Sequence, residues 1–222
     1  MRAGAILALA GLAACDNGNG PPLRQASSLH VLHAIRGGPI LTVSVDGARG
    51  SALVFGGQSR TFLSPGLHEL VLVPSDTSHS LIVDFSAQEG VNYTAFAIDS
   101  VAGATHTVEP VLVPDTGAVP PAGHGRLRIA SFADSAPAID ARRTQPDSTG
   151  LLVSAQPLNF RAVTRYFDGA PGAWSVVISH AGVTDTLLAT GSIVLADGQA
   201  RTVVVIDSSP GHVTWRLVPD RN

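Results

Sequence analysis

Glu89-Gly90-Val91-Asn92-Tyr93-Thr94-Ala95-Phe96-Ala97-Ile98-Asp99-Ser100 aligns without a gap to Asp197-Gly198-Gln199-Ala200-Arg201-Thr202-Val203-Val204-Val205-Ile206-Asp207-Ser208. Gly, Thr, Ile, Asp and Ser are identical at matched places. Thr94, Phe96 and Ile98 alternate with their neighbours, as do Thr202, Val204 and Ile206, which is the period of a strand with one inner face. The match extends outward. Leu112-Val113-Pro114-Asp115 recurs as Leu217-Val218-Pro219-Asp220, and Ser64-Pro65-Gly66 recurs as Ala170-Pro171-Gly172. The same order and similar spacing point to a tandem duplication, with repeat 1 at 28–115 and repeat 2 at 126–220. The segment 116–125 between them is rich in Pro and Gly and reads as a linker. A unit of this size can bury its own core, so two domains are expected.

Composition favours strands throughout. The 222 residues include 14 Arg and no Lys, 14 Asp and 3 Glu, 23 Gly and 15 Pro. The straight-chain polar helix formers are nearly absent, while residues suited to strands and turns abound. Strand signals recur every 8–12 residues. In repeat 1 they fall near 29–35, 40–46, 51–55, 59–63, 67–74, 80–86, 92–99 and 107–113. In repeat 2 they fall near 126–133, 137–143, 158–167, 173–180, 186–195, 200–207 and 212–218. The expected fold is all-β, with two tandem antiparallel β-sandwich domains, loosely Ig-like.

Residues 1–14, MRAGAILALAGLAA, carry one positive charge at Arg2 and then an apolar run too short to span a bilayer. The run ends at Leu12-Ala13-Ala14-Cys15, which resembles the bacterial lipobox, and Cys15 is the chain's single cysteine. The reading is a lipoprotein signal peptide over 1–14, lipidation at Cys15 and a polar tether over 15–27. Acyl chains contributing about 0.8 kcal/mol per buried methylene would hold the protein at a membrane. The expected location is the bacterial cell envelope, facing the periplasm or the exterior.

Repeat 1 opens Leu29-His30-Val31-Leu32-His33-Ala34, followed by Pro39 and Val43-Ser44-Val45-Asp46-Gly47. Repeat 2 opens Leu127-Arg128-Ile129-Ala130-Ser131-Phe132-Ala133, followed by Ala136-Pro137-Ala138-Ile139-Asp140. These openings, with the later Pro65-Gly66 and Pro171-Gly172, resemble domain-of-unknown-function family 4397. Repeat 1 has Thr42 where the family pattern has Asp. Repeat 2 has Ser131-Phe132 in place of His-Ala. The resemblance implies secreted or lipid-anchored bacterial β-domains and brings no catalytic residues.

The chain offers little recognisable chemistry. A net charge of −3 without lysine argues against nucleic-acid binding. His30 and His33 fall on opposite faces of a strand and cannot chelate together. His33 is the histidine best suited to ligation, and a structural hydrogen bond explains it equally well. Asp99 and Asp207 read as turn caps, and Asp115 and Asp220, which follow Pro at the repeat ends, read the same way. No G-x-S-x-G elbow or phosphate loop is present. No metal ligands, cofactor or catalytic residues are expected. The favoured reading is a non-catalytic envelope protein whose two β-domains meet a protein or glycan partner. The alternative is a periplasmic hydrolase with a loop-borne site. Trp174 and Trp215 each share a strand face with apolar residues and are expected in the core.

Overall fold

The computed structural model describes residues 26–76, 79–99, 107–136, 138–145, 150–151 and 156–221. The signal segment 1–14, Cys15 and most of the tether lie outside the described residues, as do His106 and Pro137. The protein is all-β, with no helix among the described residues.

The first half contains β1 (Ser27–His33), β2 (Leu41–Val45), β3 (Ala48–Leu53), β4 (Gln58–Leu63), β5 (Gly66–Pro74), β6 (Leu81–Ala87), β7 (Tyr93–Asp99) and β8 (Val108–Pro114). These form two four-stranded sheets, ordered β4-β1-β7-β8 and β3-β2-β5-β6. The eight strands overlap the expected runs, and β3 begins at Ala48, three residues before the expected 51–55 and directly after the Asp46-Gly47 turn. At Asp46-Gly47 both residues have positive φ (51° and 75°), the conformation of a tight hairpin turn, and this links β2 to β3. Leu29, Val31, Leu41, Val43, Leu70, Leu72, Ala95 and Ala97 fill the space between the sheets.

The second half contains β9 (Gly125–Phe132), β10 (Ala138–Gln145), β11 (Gly150–Leu151), β12 (Leu158–Asn159), β13 (Phe167–Gly169), β14 (Gly172–His180), β15 (Leu188–Ala189), β16 (Ile193–Leu195), β17 (Ala200–Ser209) and β18 (His212–Arg221). One sheet runs β13-β9-β17-β18, and the other is built around β10 and β14. Two expected strands are broken. The stretch 158–167 splits into β12, which pairs with β10, and β13, which pairs with β9. A turn containing Arg161 at φ 70° carries the chain between them. The stretch 186–195 splits into β15 and β16 around Gly191, whose φ is 68°. Trp174 is fully buried in the core of this half, and its Nε1 donates to Ala170 O at 2.9 Å. Trp215 is half-buried against the same core.

The sheets are not purely antiparallel. β1 pairs with β7 in parallel, and β9 with β17. Alternation reveals which residues share a face but not the direction of the neighbouring strand. β7 and β17 are also buried on both faces, a property common in strands with parallel neighbours. Ala95 and Ala97 face the core of the first half. Phe96 and Ile98 join a different cluster, made with Leu32 and Ala34 from the first half and Ala130, Phe132, Val204, Ile206 and Val218 from the second. The sheets containing β1 and β9 therefore pack against each other through a third apolar core. Phe96 and Phe132 meet there with ring centroids 4.6 Å apart.

Candidate functional site

The third core is closed at each end by polar side chains. At one end lie the first residues of β1, β7, β9 and β17. Asp115 follows β8, and its backbone N–H donates to Asn92 O at 2.8 Å. Thr94 Oγ1 donates to its carboxylate at 3.2 Å. Thr202 makes the equivalent bond in the second half, donating to Asp220 Oδ2 at 2.6 Å. Between the two carboxylates stands Arg128, 3% exposed. Its Nη2 donates to Asp115 and lies 3.6 Å from Asp220 Oδ1, and its Nε donates to Thr202 Oγ1 at 2.7 Å. Tyr166 Oη donates to Asp220 Oδ2 at 2.8 Å, and its ring lies 4.7 Å from the Arg128 guanidinium carbon. Asn92 Nδ2 donates to the Asp220 carbonyl at 2.7 Å, tying the halves again.

Burial dominates the electrostatics. It raises the Asp115 carboxyl to about 7 against the opposing pull of Arg128, with Asp220 adding to the rise. Burial also raises Asp220 above the usual carboxylate range. It works against the charge of Arg128, but Asp220 and Asp115 more than restore it, so Arg128 remains a firm cation. His30 occupies the place in β1 that Arg128 occupies in β9. Burial, reinforced by Arg60 and Arg201, lowers it to about 4, so it stays neutral. Its buried Nε2 has no hydrogen-bond partner.

At the opposite end of the core, Asp207 accepts from the backbone N–H groups of Asp134 (2.9 Å) and Ser135 (3.4 Å) and from the Ser135 hydroxyl. It is a turn cap, but of the turn after β9 and not of its own strand's turn. Asp99 accepts from Thr107 N at 3.1 Å. Burial and the Asp134 side chain raise Asp207 to about 6. His33 is held structurally: its Nδ1 accepts from Ile35 N at 3.2 Å while its Nε2 meets Pro39 O at 2.7 Å. Among the described residues, no group of three or more His, Cys, Asp or Glu is placed to hold a metal ion.

The sequence reading of Asp115 and Asp220 as turn caps is incorrect. Both are ion-pair residues inside the molecule, because the packing of one half on the other buries the ends of their strands. The recurrence of Thr94 with Asp115 as Thr202 with Asp220 was the available signal. Against Arg128 and Tyr166, a cleft of about 400 Å³ lies between the end of β8, the start of β9 and the 163–166 segment.

Residues 27–142, just over half of the chain, match the family described as a domain of unknown function, DUF4397. The chain belongs to the DUF4397 family. The match begins at the first residue of β1 and runs into β10. It takes in Asp115 and Arg128 but not Tyr166, Thr202 or Asp220. No curated protein matches this DUF4397 chain. A solved structure, the Bacillus anthracis TIE protein, aligns over 82% of the chain at 13% identity with a TM-score of 0.27. The chain spans about a third of that structure's length, 34%.

Proposed function

We propose that this protein is a non-catalytic, lipid-anchored component of the bacterial cell envelope. In this reading, two duplicated Ig-like β-domains form one binding body. The observation that carries it is the use of the buried charges. Arg128 donates to Asp115 and stands 3.6 Å from Asp220 Oδ1, Thr202 and Tyr166 hold the other Asp220 oxygen, and Asp207 caps a turn, which supports a structural use of the perturbed acids. The matching order of β4-β1-β7-β8 and β13-β9-β17-β18 supports the duplication. The apolar run ending at Ala14-Cys15 supports the anchor, and membership of the DUF4397 family agrees with an extracytoplasmic β-domain.

Fractionation and intact-mass measurement test the proposal. The expected result is a membrane-associated chain that begins at an acylated Cys15, with Cys15→Ser released to the soluble fraction. Purified protein should leave generic ester, glycoside and peptide substrates unchanged. An intact Met1 in the mature protein overturns the anchor, and turnover of any of these substrates overturns the non-catalytic assignment.

A further inference from the structure

We infer that the cleft beside Arg128 binds the terminal carboxylate of a peptide whose last residues are small and apolar. This deepens the binding-protein reading above and rests on it. Arg126, Arg128 and Arg165 line the cleft, and no carboxylate does. The acids that balance these charges stand elsewhere. Asp115 and Asp220 are buried with Arg128, and Asp168 is held by the Nε and Nη2 of Arg126. Arg165 differs from the other two. It is exposed and has no ion-pair or hydrogen-bond partner among the described residues. It is the guanidinium available to take a ligand's carboxylate through paired N–H donors.

The remaining walls narrow the ligand class. Val113, Pro114 and Val163 supply apolar surface, and Thr116 and Thr164 supply hydroxyls. A cleft that combines apolar wall with guanidinium and hydroxyl groups suits a carboxylate-bearing chain end with small side chains. The one aromatic ring in the wall, Tyr166, carries the Arg128 guanidinium on one face, 4.7 Å from the ring centroid. The neighbouring hollow of about 220 Å³ shares Val163, Thr164 and Arg165. Arg165 thus stands at the junction of the two, within reach of the chain end of a peptide seated in the larger cleft.

Titration of the full chain with N-acetyl-Ala-Ala, followed by two-dimensional NMR, tests this inference. Saturable shifts are expected at the amides of Thr116, Thr164 and Arg165. The C-terminal carboxamide of the same peptide should bind at least about tenfold more weakly, as should the acid to Arg165→Ala. Arg165 is exposed, and unchanged spectra elsewhere would show that the variant is folded. Equal binding of acid and amide, or no loss in Arg165→Ala, overturns the inference. Tighter binding of glucuronate than of the peptide overturns the ligand class. Free alanine appearing in the same spectra would overturn the non-catalytic reading instead, so the two failures are separable.

Discussion

Asp115, from the first half of the chain, receives a hydrogen bond from Arg128, from the second half, with side-chain exposures of 0% and 3%. An ion pair this deep contributes little net stability relative to an apolar pair, yet removing one partner is costly. Arg128→Met leaves two buried carboxylates without a cation and should lower unfolding free energy by about 3–5 kcal/mol. Adding Asp115→Asn and Asp220→Asn should recover much of that loss. Urea denaturation of the single and triple variants measures both effects.

The same pair makes stability depend on pH. The folded-state value of Asp115, about 7, lies above its unfolded value, so between pH 4 and 7 the native state holds the extra proton. The stabilising contribution is complete below the unfolded value and is lost as pH rises through about 7. Asp207, raised to about 6, acts in the same direction, whereas His30, lowered to about 4, acts in the opposite one. Asp115→Asn isolates the first effect. Its stability should gain on wild type by about 1–3 kcal/mol between pH 5 and 7 and level off above, as read from urea midpoints.

Phe96 belongs to the core between the halves. Phe96→Ala should cost about 3–5 kcal/mol. Because that core joins both sheets, the second half should lose thermal stability along with the first. Calorimetry showing one transition, moved down as a whole, is the expected result.

Trp174 and Trp215 separate by burial. Trp174→Ala should cost about 3–5 kcal/mol, and Trp215→Ala distinctly less. In Trp215→Ala the remaining fluorescence should be blue-shifted and poorly quenched by iodide, since Trp174 is 0% exposed.

Alternation and turn chemistry made the first half legible strand by strand, because each strand there is a single run bounded by polar or Gly-containing turns. The second half was less so. Nothing in the 158–167 run announces that Arg161 turns the chain from one sheet to the other, and tertiary pairing of β12 with β10 decides it. The alternation in β7 and β17 was correct but incomplete. It marked Phe96 and Val204 as facing a core, and that core lies between the halves, while Ala95 and Val203 face the cores within them. Matching segments read along the chain carry no statement of how the two halves pack. For that reason Asp115 and Asp220 looked like ordinary strand-end acids.

His30 stands in β1 where Arg128 stands in β9, so the two halves bring different charge to the contact between them. The interface brings together corresponding surfaces, so a freed half can attempt the same contact with a copy of itself. Two first halves would bury a pair of Asp115 carboxylates with neutral His30 imidazoles in place of Arg128, and Arg60 beside His30 as a cation. Two second halves would set two guanidinium groups against two Asp220 carboxylates, a balanced set, over the apolar patch of Phe132, Val204 and Ile206. Segment 126–222 expressed alone is therefore expected to self-associate, while 28–115 is not. Sedimentation of the two fragments distinguishes them. On this expectation the charge at one position of the contact would make the first half pair with the second in preference to a copy of itself.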